Sequence, residues 1–262
     1  MSATAIAIDT NRPGVPMSRL VRVELRKMFD TRSGFWLMMS IAIVAALATI
    51  GCILFVPNEN LEFAVFGSAV GFPMAILLPI VAILAVTGEW SQRTGLITFT
   101  LAPNRGQVIL SKAIAAVIVG VVSMILAFAI GAIGNVVGSL LNGVDIVWDV
   151  SIGDLLLIIL GNVLGLLVGF MLGVLIRNTP GAIVAYFVYS FVLPTIFGIL
   201  AELVDWFKDI HLWIDFGAAQ TPLFDGGFDN GEQYAQLGVS GLIWLVIPLT
   251  IGVWSVLRSE VK

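Results

Sequence analysis

The sequence contains very little charge. Only 11% of its 262 residues are Asp, Glu, Lys or Arg, whereas 59% are hydrophobic. A soluble domain carries about 25% charged residues, so this chain has too little polar surface to dissolve a globule of its length. Lipid is therefore the predicted solvent for most of it.

Residues that carry out chemistry are scarce as well. The single cysteine, Cys52, excludes an intrachain disulfide, and the single histidine, His211, excludes a His-rich metal site. The sequence has no G-x-x-x-x-G-K-[ST] motif for holding ATP phosphates. No charged residue lies near the centre of a predicted span, where ion-coupled transporters usually carry one. We expect no catalytic residue, metal or cofactor in this chain, and the energy for active transport must come from a partner.

Six charge-free apolar windows are each long enough to cross a membrane, which takes about 20 residues. Their apolar residues run continuously instead of alternating, which excludes a β-barrel. We predict an all-α polytopic membrane protein with six transmembrane helices and short interfacial or re-entrant helices between the last two. The predicted spans are 35–56, 67–88, 113–138, 153–176, 180–201 and 239–258. The predicted divisions are a disordered cytoplasmic tail (1–15), an amphipathic interfacial helix (16–33) and a transmembrane domain (34–262).

The basic residues predict the orientation. With six spans, all of the 13 Lys and Arg residues except Lys208 fall on one side of the membrane. All but five of the 17 acidic residues fall on the opposite side. Because Lys and Arg accumulate in cytoplasmic segments, we expect both termini in the cytoplasm of a bacterial cell.

The segment before the first span has helical periodicity, with an apolar face and a basic face. This pattern is typical of a helix that lies in the membrane interface, its basic side towards anionic headgroups. It is either a plain anchor or a lever that touches a cytoplasmic partner. The polar residues singled out in this segment are Arg22, Glu24, Arg26 and Lys27.

Small and polar residues within the spans suggest sites of close helix packing and residues that line a substrate pathway. Glycines four residues apart in the fourth span predict close approach by another helix, either within the chain or across a dimer seam; these are Gly161, Gly165, Gly169 and Gly173. Prolines favour kinks, and polar groups favour hydrogen bonds between helices. The pathway candidates are Pro73, Pro79, Ser190, Pro194 and Thr195.

The cytoplasmic segments resemble those of ABC-2 type permeases, the membrane subunits of type V ABC exporters. The resemblance rests on 23–27 (VELRK) and on the loop between spans 2 and 3, where Glu89-Trp90 and Arg93-Thr94 precede Leu101-Ala102-Pro103-Asn104-Arg105 and Lys112. Arg93 stands where the family usually has Gly. Pro103 and Arg105 are one residue closer together than the usual P-x-x-R turn.

The resemblance implies an export permease that is surrounded by membrane lipids and has no nucleic-acid partner. The absence of charge within the spans suggests an apolar or amphipathic substrate. The permease's other partners would be two ABC ATPase subunits, which hold ATP and Mg, and a second permease copy or paralogue. The residues expected to couple to the ATPase are Glu89, Trp90, Arg93, Thr94, Leu96, Phe99, Leu101, Pro103 and Arg105. The alternative is a membrane sensor or immunity protein that binds an antibiotic or peptide without transporting it.

Two further expectations concern single charges at the cytoplasmic side. We expect Glu89 to pair with Arg93 one turn later or with a basic residue of segment 16–33. We expect Arg105 or Lys112 to contact the ATPase or lipid phosphates, unless they serve only as positive-inside charges.

Overall fold

A computed structural model describes residues 15–30, 32–91 and 104–258. The described residues are predominantly helical and include no β-strand. Six helices among them are long and apolar enough to cross a membrane, which confirms the predicted fold class. Spans 1 to 6 are Gly34–Phe55, Phe63–Ser91, Arg105–Asn142, Ile152–Ile176, Thr179–Leu203 and Gly231–Arg258.

Several spans extend beyond the apolar windows because polar residues cap them. Span 3 begins at Arg105 instead of 113, since the Asn104 side chain accepts a hydrogen bond from the Gln107 backbone N–H. It ends at Asn142, followed by Gly143 in the left-handed conformation that favours glycine. Span 6 begins at Gly231 instead of 239, behind an Asn230 cap. Hydropathy locates the membrane-crossing part of a helix and misses its polar ends.

The N-terminal helix spans Met17–Asp30, and the helix of span 1 begins at Arg32. The N-terminal helix packs on the body of the protein through Met28, which is buried, whereas the Arg22 and Arg26 side chains are exposed. Arg26 pairs with Asp30 one turn on, at 2.8 Å. The predicted position of this helix in the membrane interface stays a prediction.

The centre of the fold is the contact between spans 2 and 4. A Cβ atom built on Gly169 would lie 2.5 Å from the Pro79 carbonyl oxygen, and one on Gly173 would lie 3.4 Å from the Ile83 Cα. These two glycines therefore let the backbones of spans 2 and 4 approach closely within one chain. Of the two expectations for this glycine row, the described contacts support packing within the chain at Gly169 and Gly173.

Spans 5 and 6 share an irregularity. Each contains a π-helical turn, Val188–Val192 and Leu242–Val246, followed immediately by Leu193-Pro194 or Ile247-Pro248. Proline lacks the N–H that continues the regular pattern, and a single π-helical turn absorbs the mismatch without breaking the helix. The prolines of span 2, Pro73 and Pro79, lie within one continuous helix.

The connection between spans 5 and 6 folds back into the helix bundle. It forms the helices Asp205–Ile214 and Phe216–Ala219, then a 3-10 turn at Thr221–Leu223. Phe216 is buried in a cluster with Val168 of span 4. Val168 lies 16 residues after the first residue of span 4, which is about 24 Å along the helix axis at 1.5 Å per residue. The predicted short helices between spans 5 and 6 are therefore present, and their interfacial or re-entrant position in a membrane stays a prediction.

The two ends of the bundle carry opposite charge. We call the end formed by the N-terminal helix and Arg105, Arg177 and Arg258 the basic end, and the opposite end, which carries the connection between spans 5 and 6, the acidic end. Contacts across the fold hold each end together; at the acidic end, Asp149 accepts a hydrogen bond from the Ala64 backbone N–H.

Candidate functional site

Four charged side chains meet inside the basic end. Lys112 of span 3 lies 2.5 Å from Glu24 and 3.1 Å from Glu89 of span 2, and Lys27 lies 2.8 Å from Glu24 and 3.1 Å from Glu89. Two carboxylates and two ammonium groups thus form an electrically balanced set, which we call the ion-pair cluster. It joins the N-terminal helix to spans 2 and 3.

The ion-pair cluster is buried, which decides its energetics. Glu24, Glu89 and Lys112 are only 6%, 6% and 3% exposed. Lys112 directs its three N–H donors to Glu24, Glu89 and the Ala85 carbonyl oxygen. A buried charge without partners costs several kcal/mol, on the order of what breaking such a pair costs, so each member depends on the others.

Lys27 lies at the edge of the cluster, where its side chain is 44% exposed. Burial alone would lower the pKa of Lys27. The hydrogen bond and charge of Glu24, together with Glu89, outweigh that effect and hold the pKa above its ordinary value of 10.5. Lys27 therefore stays protonated at neutral pH.

Two arginines at the basic end attach span 6 to its neighbours. The Arg105 guanidinium donates to the Val256 carbonyl oxygen at 3.1 Å, and Arg177 donates to the Ser255 hydroxyl at 2.5 Å. Arg177 itself adopts the left-handed conformation that ends span 4. The turns of spans 3, 4 and 6 at the basic end are thereby held together.

Only some of the residues predicted to couple to an ATPase belong to the described part of the chain. Trp90 packs against the main core, and Glu89 pairs with Lys27, which confirms the expected pairing with a basic residue of segment 16–33. The expected contact of Lys112 with the ATPase or lipid phosphates is wrong, because Lys112 is buried in the ion-pair cluster. The predicted coupling residues that lie outside the described residues are Arg93, Thr94, Leu96, Phe99, Leu101 and Pro103.

A second polar feature is a cavity of about 220 Å³ towards the acidic end, between spans 2, 4, 5 and 6 and the re-entrant connection. We call it the aromatic cavity. Its aromatic lining residues are Tyr186, Tyr189, Phe197, Phe216, Phe224 and Trp244. Its polar lining residues include Asn162, Ser190, Asp215 and Gln220.

A larger cavity of about 450 Å³ lies beside the aromatic cavity, among spans 2, 3 and 4. The two share Ala75, Asn162 and Phe224 as lining residues. Asp149 and Asp154 also line the larger cavity. Asn162 thus stands in the wall common to both spaces.

The structure places the pathway candidates in different surroundings. Ser190 and Pro194 line the aromatic cavity. Pro79 is buried against Gly169, and Thr195 is exposed and donates its hydroxyl to the Phe191 carbonyl oxygen within its own helix. Thr195 therefore makes no hydrogen bond between helices among the described contacts, which corrects that expectation.

The glycines of span 4 also differ in their surroundings. Gly161 lies under the Phe224 ring, where a Cβ would approach to 2.6 Å, whereas nothing described lies within 4 Å of a Cβ on Gly165. Both residues line the aromatic cavity.

Sequence reasoning missed the partners of Lys112 and the role of Asp215. Both depend on residues that lie on different helices, between 23 and 88 positions apart in the sequence, such as Lys112 and Glu24 or Asp215 and Asn162, and the sequence carries no local signal for them. No group of three or more His, Cys, Asp or Glu side chains that is arranged to hold a metal ion occurs within the described ranges.

Comparison with known proteins gives one finding and one negative result. A family model described as ABC-2 family transporter protein matches residues 20–202, which is more than half of the chain. The match covers the N-terminal helix, spans 1 to 4 and nearly all of span 5. No curated protein matches the chain.

Proposed function

Because this chain belongs to the ABC-2 transporter family, we propose that it is the permease subunit of an ATP-binding cassette exporter, driven by separate ATPase subunits through the loop between spans 2 and 3. Two ABC ATPase subunits, which bind ATP and Mg, and a second permease copy or paralogue complete the transporter. The cargo is an apolar or amphipathic molecule, because no described charge lies at the centre of a span.

The ion-pair cluster is the observation that carries this proposal. Glu89 lies in the last turn of span 2, and Lys112 lies in the second turn of span 3. Members of the cluster therefore lie shortly before and shortly after residues 92–103 in the sequence. The cluster also fixes the N-terminal helix to the same point through Glu24 and Lys27. A force applied to the loop by an ATPase would reach spans 2 and 3 and the N-terminal helix together, instead of bending one helix end.

The basic end faces the cytoplasm in this proposal, in the bacterial inner membrane. The clustering of basic side chains at one end supports that orientation through the positive-inside rule. An ATPase that acts on residues 92–103 requires this orientation, because ATP is available in the cytoplasm.

Coexpression with the ABC ATPase encoded beside this chain tests the proposal. A photo-crosslinking phenylalanine analogue at Phe99 should capture the ATPase, because Phe99 belongs to the expected coupling loop. The same analogue at Phe228, at the acidic end, should capture none. Phe99→Asp should abolish the stable complex, because a charge replaces an apolar contact, whereas Phe228→Asp should leave the complex intact.

Crosslinking from Phe228 and not from Phe99 would reverse the proposed orientation. A complex that forms equally with Phe99→Asp would remove the loop from the coupling path. Both readouts use binding to the ATPase, so neither depends on knowing the cargo.

A further inference from the structure

The aromatic cavity has an uneven supply of hydrogen-bonding groups. Three of its donors are engaged with backbone carbonyls: the Tyr186 hydroxyl donates to Ala75 at 2.7 Å, the Trp244 indole N–H to Ile214 at 2.6 Å, and the Gln220 amide to Phe216 at 2.9 Å. The Tyr189 hydroxyl, which can accept as well as donate, has no such partner among the described residues. The remaining polar atoms therefore determine what the cavity can recognise.

Two of those atoms are buried and have no hydrogen-bond partner among the described residues. They are the amide oxygen of Asn162 and the hydroxyl oxygen of Tyr189. Asn162 is only 3% exposed and uses its amide N–H to donate to the Ile158 carbonyl oxygen. Burying a polar group without a partner is unfavourable, so a ligand that supplies N–H donors at this point binds more tightly than one that supplies none.

A carboxylate adds negative charge to the same space. Asp215 is 4% exposed and lines the same cavity as Tyr189 and Asn162. One Asp215 oxygen accepts from the Ala218 backbone N–H at 3.0 Å, and the other lies 3.2 Å from His211 Nε2. A carboxylate has about four acceptor positions, so it can accept further hydrogen bonds. None of the described residues that line the cavity is Lys, Arg or His.

The aromatic rings complete the pattern. Tyr189 and Trp244 lie 5.5 Å apart between ring centroids, and Phe197 lies 6.4 Å from Trp244. Faces of aromatic rings attract cations within about 6 Å, most strongly where water is excluded. A buried carboxylate, acceptor oxygens and surrounding rings are together complementary to an ammonium group on an apolar body.

We propose that the aromatic cavity binds an organic ammonium cation, with the charged nitrogen between Asp215, Asn162 and Tyr189 and its apolar body among the rings. The neighbouring 450 Å³ cavity, which shares Asn162 as a lining residue, is large enough for a longer apolar tail. This inference rests on the proposed function only for identifying the ligand as cargo. Binding itself requires neither an ATPase nor transport.

Equilibrium binding to the full chain in nanodiscs of zwitterionic lipid tests the inference without any ATPase present. Phenethylamine is the probe, and 2-phenylethanol, which has nearly the same shape and no charge, is the matched ligand. We expect saturable binding of the amine and at least tenfold weaker binding of the alcohol. We expect Asp215→Asn, which keeps an oxygen for the Ala218 N–H, to weaken binding of the amine at least tenfold. Tyr189→Phe and Asn162→Leu should each weaken it several-fold.

Matched controls are Asp209→Asn, an exposed acid of the same connection, and Tyr234→Phe, whose ring stacks on Phe228 away from the cavity. Neither should change amine binding. Equal binding of amine and alcohol, or undetectable binding at millimolar concentration, would overturn the inference. So would full amine affinity in Tyr189→Phe and Asn162→Leu together. These outcomes leave the ATPase crosslinking result untouched, so failure of one proposal is distinguishable from failure of the other.

Discussion

Two groups of buried polar side chains, one towards each end of this protein, differ in whether they satisfy one another. At the basic end, Glu24, Lys27, Glu89 and Lys112 satisfy one another within 3.1 Å. Towards the acidic end, the buried oxygens of Asn162 and Tyr189 are left without a hydrogen-bond partner among the described residues. The difference teaches that one bundle can contain both a site whose charges hold its elements together and a site with unused acceptors, and the second is where we propose that a ligand binds.

The physical basis is the cost of burying charge. A balanced cluster of charges contributes rigidity because removing any member exposes the others to an apolar surrounding. An incomplete set of acceptors contributes little to stability and leaves binding free energy for a ligand. The comparison therefore makes different predictions for mutations at the two ends.

The largest expected effect comes from breaking the ion-pair cluster. Lys112→Met leaves Glu24 and Glu89 with excess buried negative charge, and we expect a loss of about 3–5 kcal/mol in unfolding free energy. Unfolding by SDS titration, followed by far-UV circular dichroism, measures it. Arg26→Met removes an exposed pair with Asp30 and should cost less than about 1 kcal/mol.

A double variant sharpens this test. Glu24→Leu combined with Lys112→Met leaves Lys27 beside Glu89 as a balanced pair, so it should be more stable than the sum of the two single losses predicts. Additive losses, or a Lys112→Met variant no less stable than Arg26→Met, would contradict the interdependence of the cluster.

A smaller effect is expected at the contact between spans 2 and 4. Gly169→Ala places a Cβ 2.5 Å from the Pro79 carbonyl oxygen, which forces the backbones apart and should destabilise by about 1–3 kcal/mol. The Cβ of Gly165→Ala has no described atom within 4 Å. Any gain in helix propensity from glycine to alanine is the same in both variants. The difference between the two variants in SDS unfolding isolates the steric effect, and equal stabilities would refute the close approach.

The smallest effect concerns Lys27 and pH. Its folded-state pKa is raised above the ordinary value of 10.5, so its stabilising contribution is complete below that value and is lost as pH rises through the folded pKa. The contribution should stay below about 1 kcal/mol because the side chain is partly exposed. The difference in unfolding free energy between the wild type and Lys27→Met should be constant at neutral pH and shrink in strong alkali. A difference that grows with rising pH would contradict the assignment.

Particular residues show why some features could be predicted and others could not. The expectation that Glu89 pairs with Arg93 or with a basic residue of segment 16–33 follows from the sequence, because these charges lie on one side of the predicted membrane. The expectation that Arg105 or Lys112 contacts the ATPase or lipid phosphates rests on their position just before an apolar window, yet span 3 begins at Arg105 and carries Lys112 into the bundle. The Asn104 cap that causes this extension is a short-range feature, but its consequence for Lys112 depends on where Glu24 lies.

The sequence by itself determined the six spans, their helical form and the separation of charge between two ends, because apolar length and the cost of charge in lipid act on each segment independently. Only the tertiary structure decided which charges became partners and which oxygens lacked them. Asp215 and Tyr189 are 26 positions apart, and Glu24 and Lys112 are 88 apart. Their meeting follows from how whole helices pack, which the local pattern of residues does not specify.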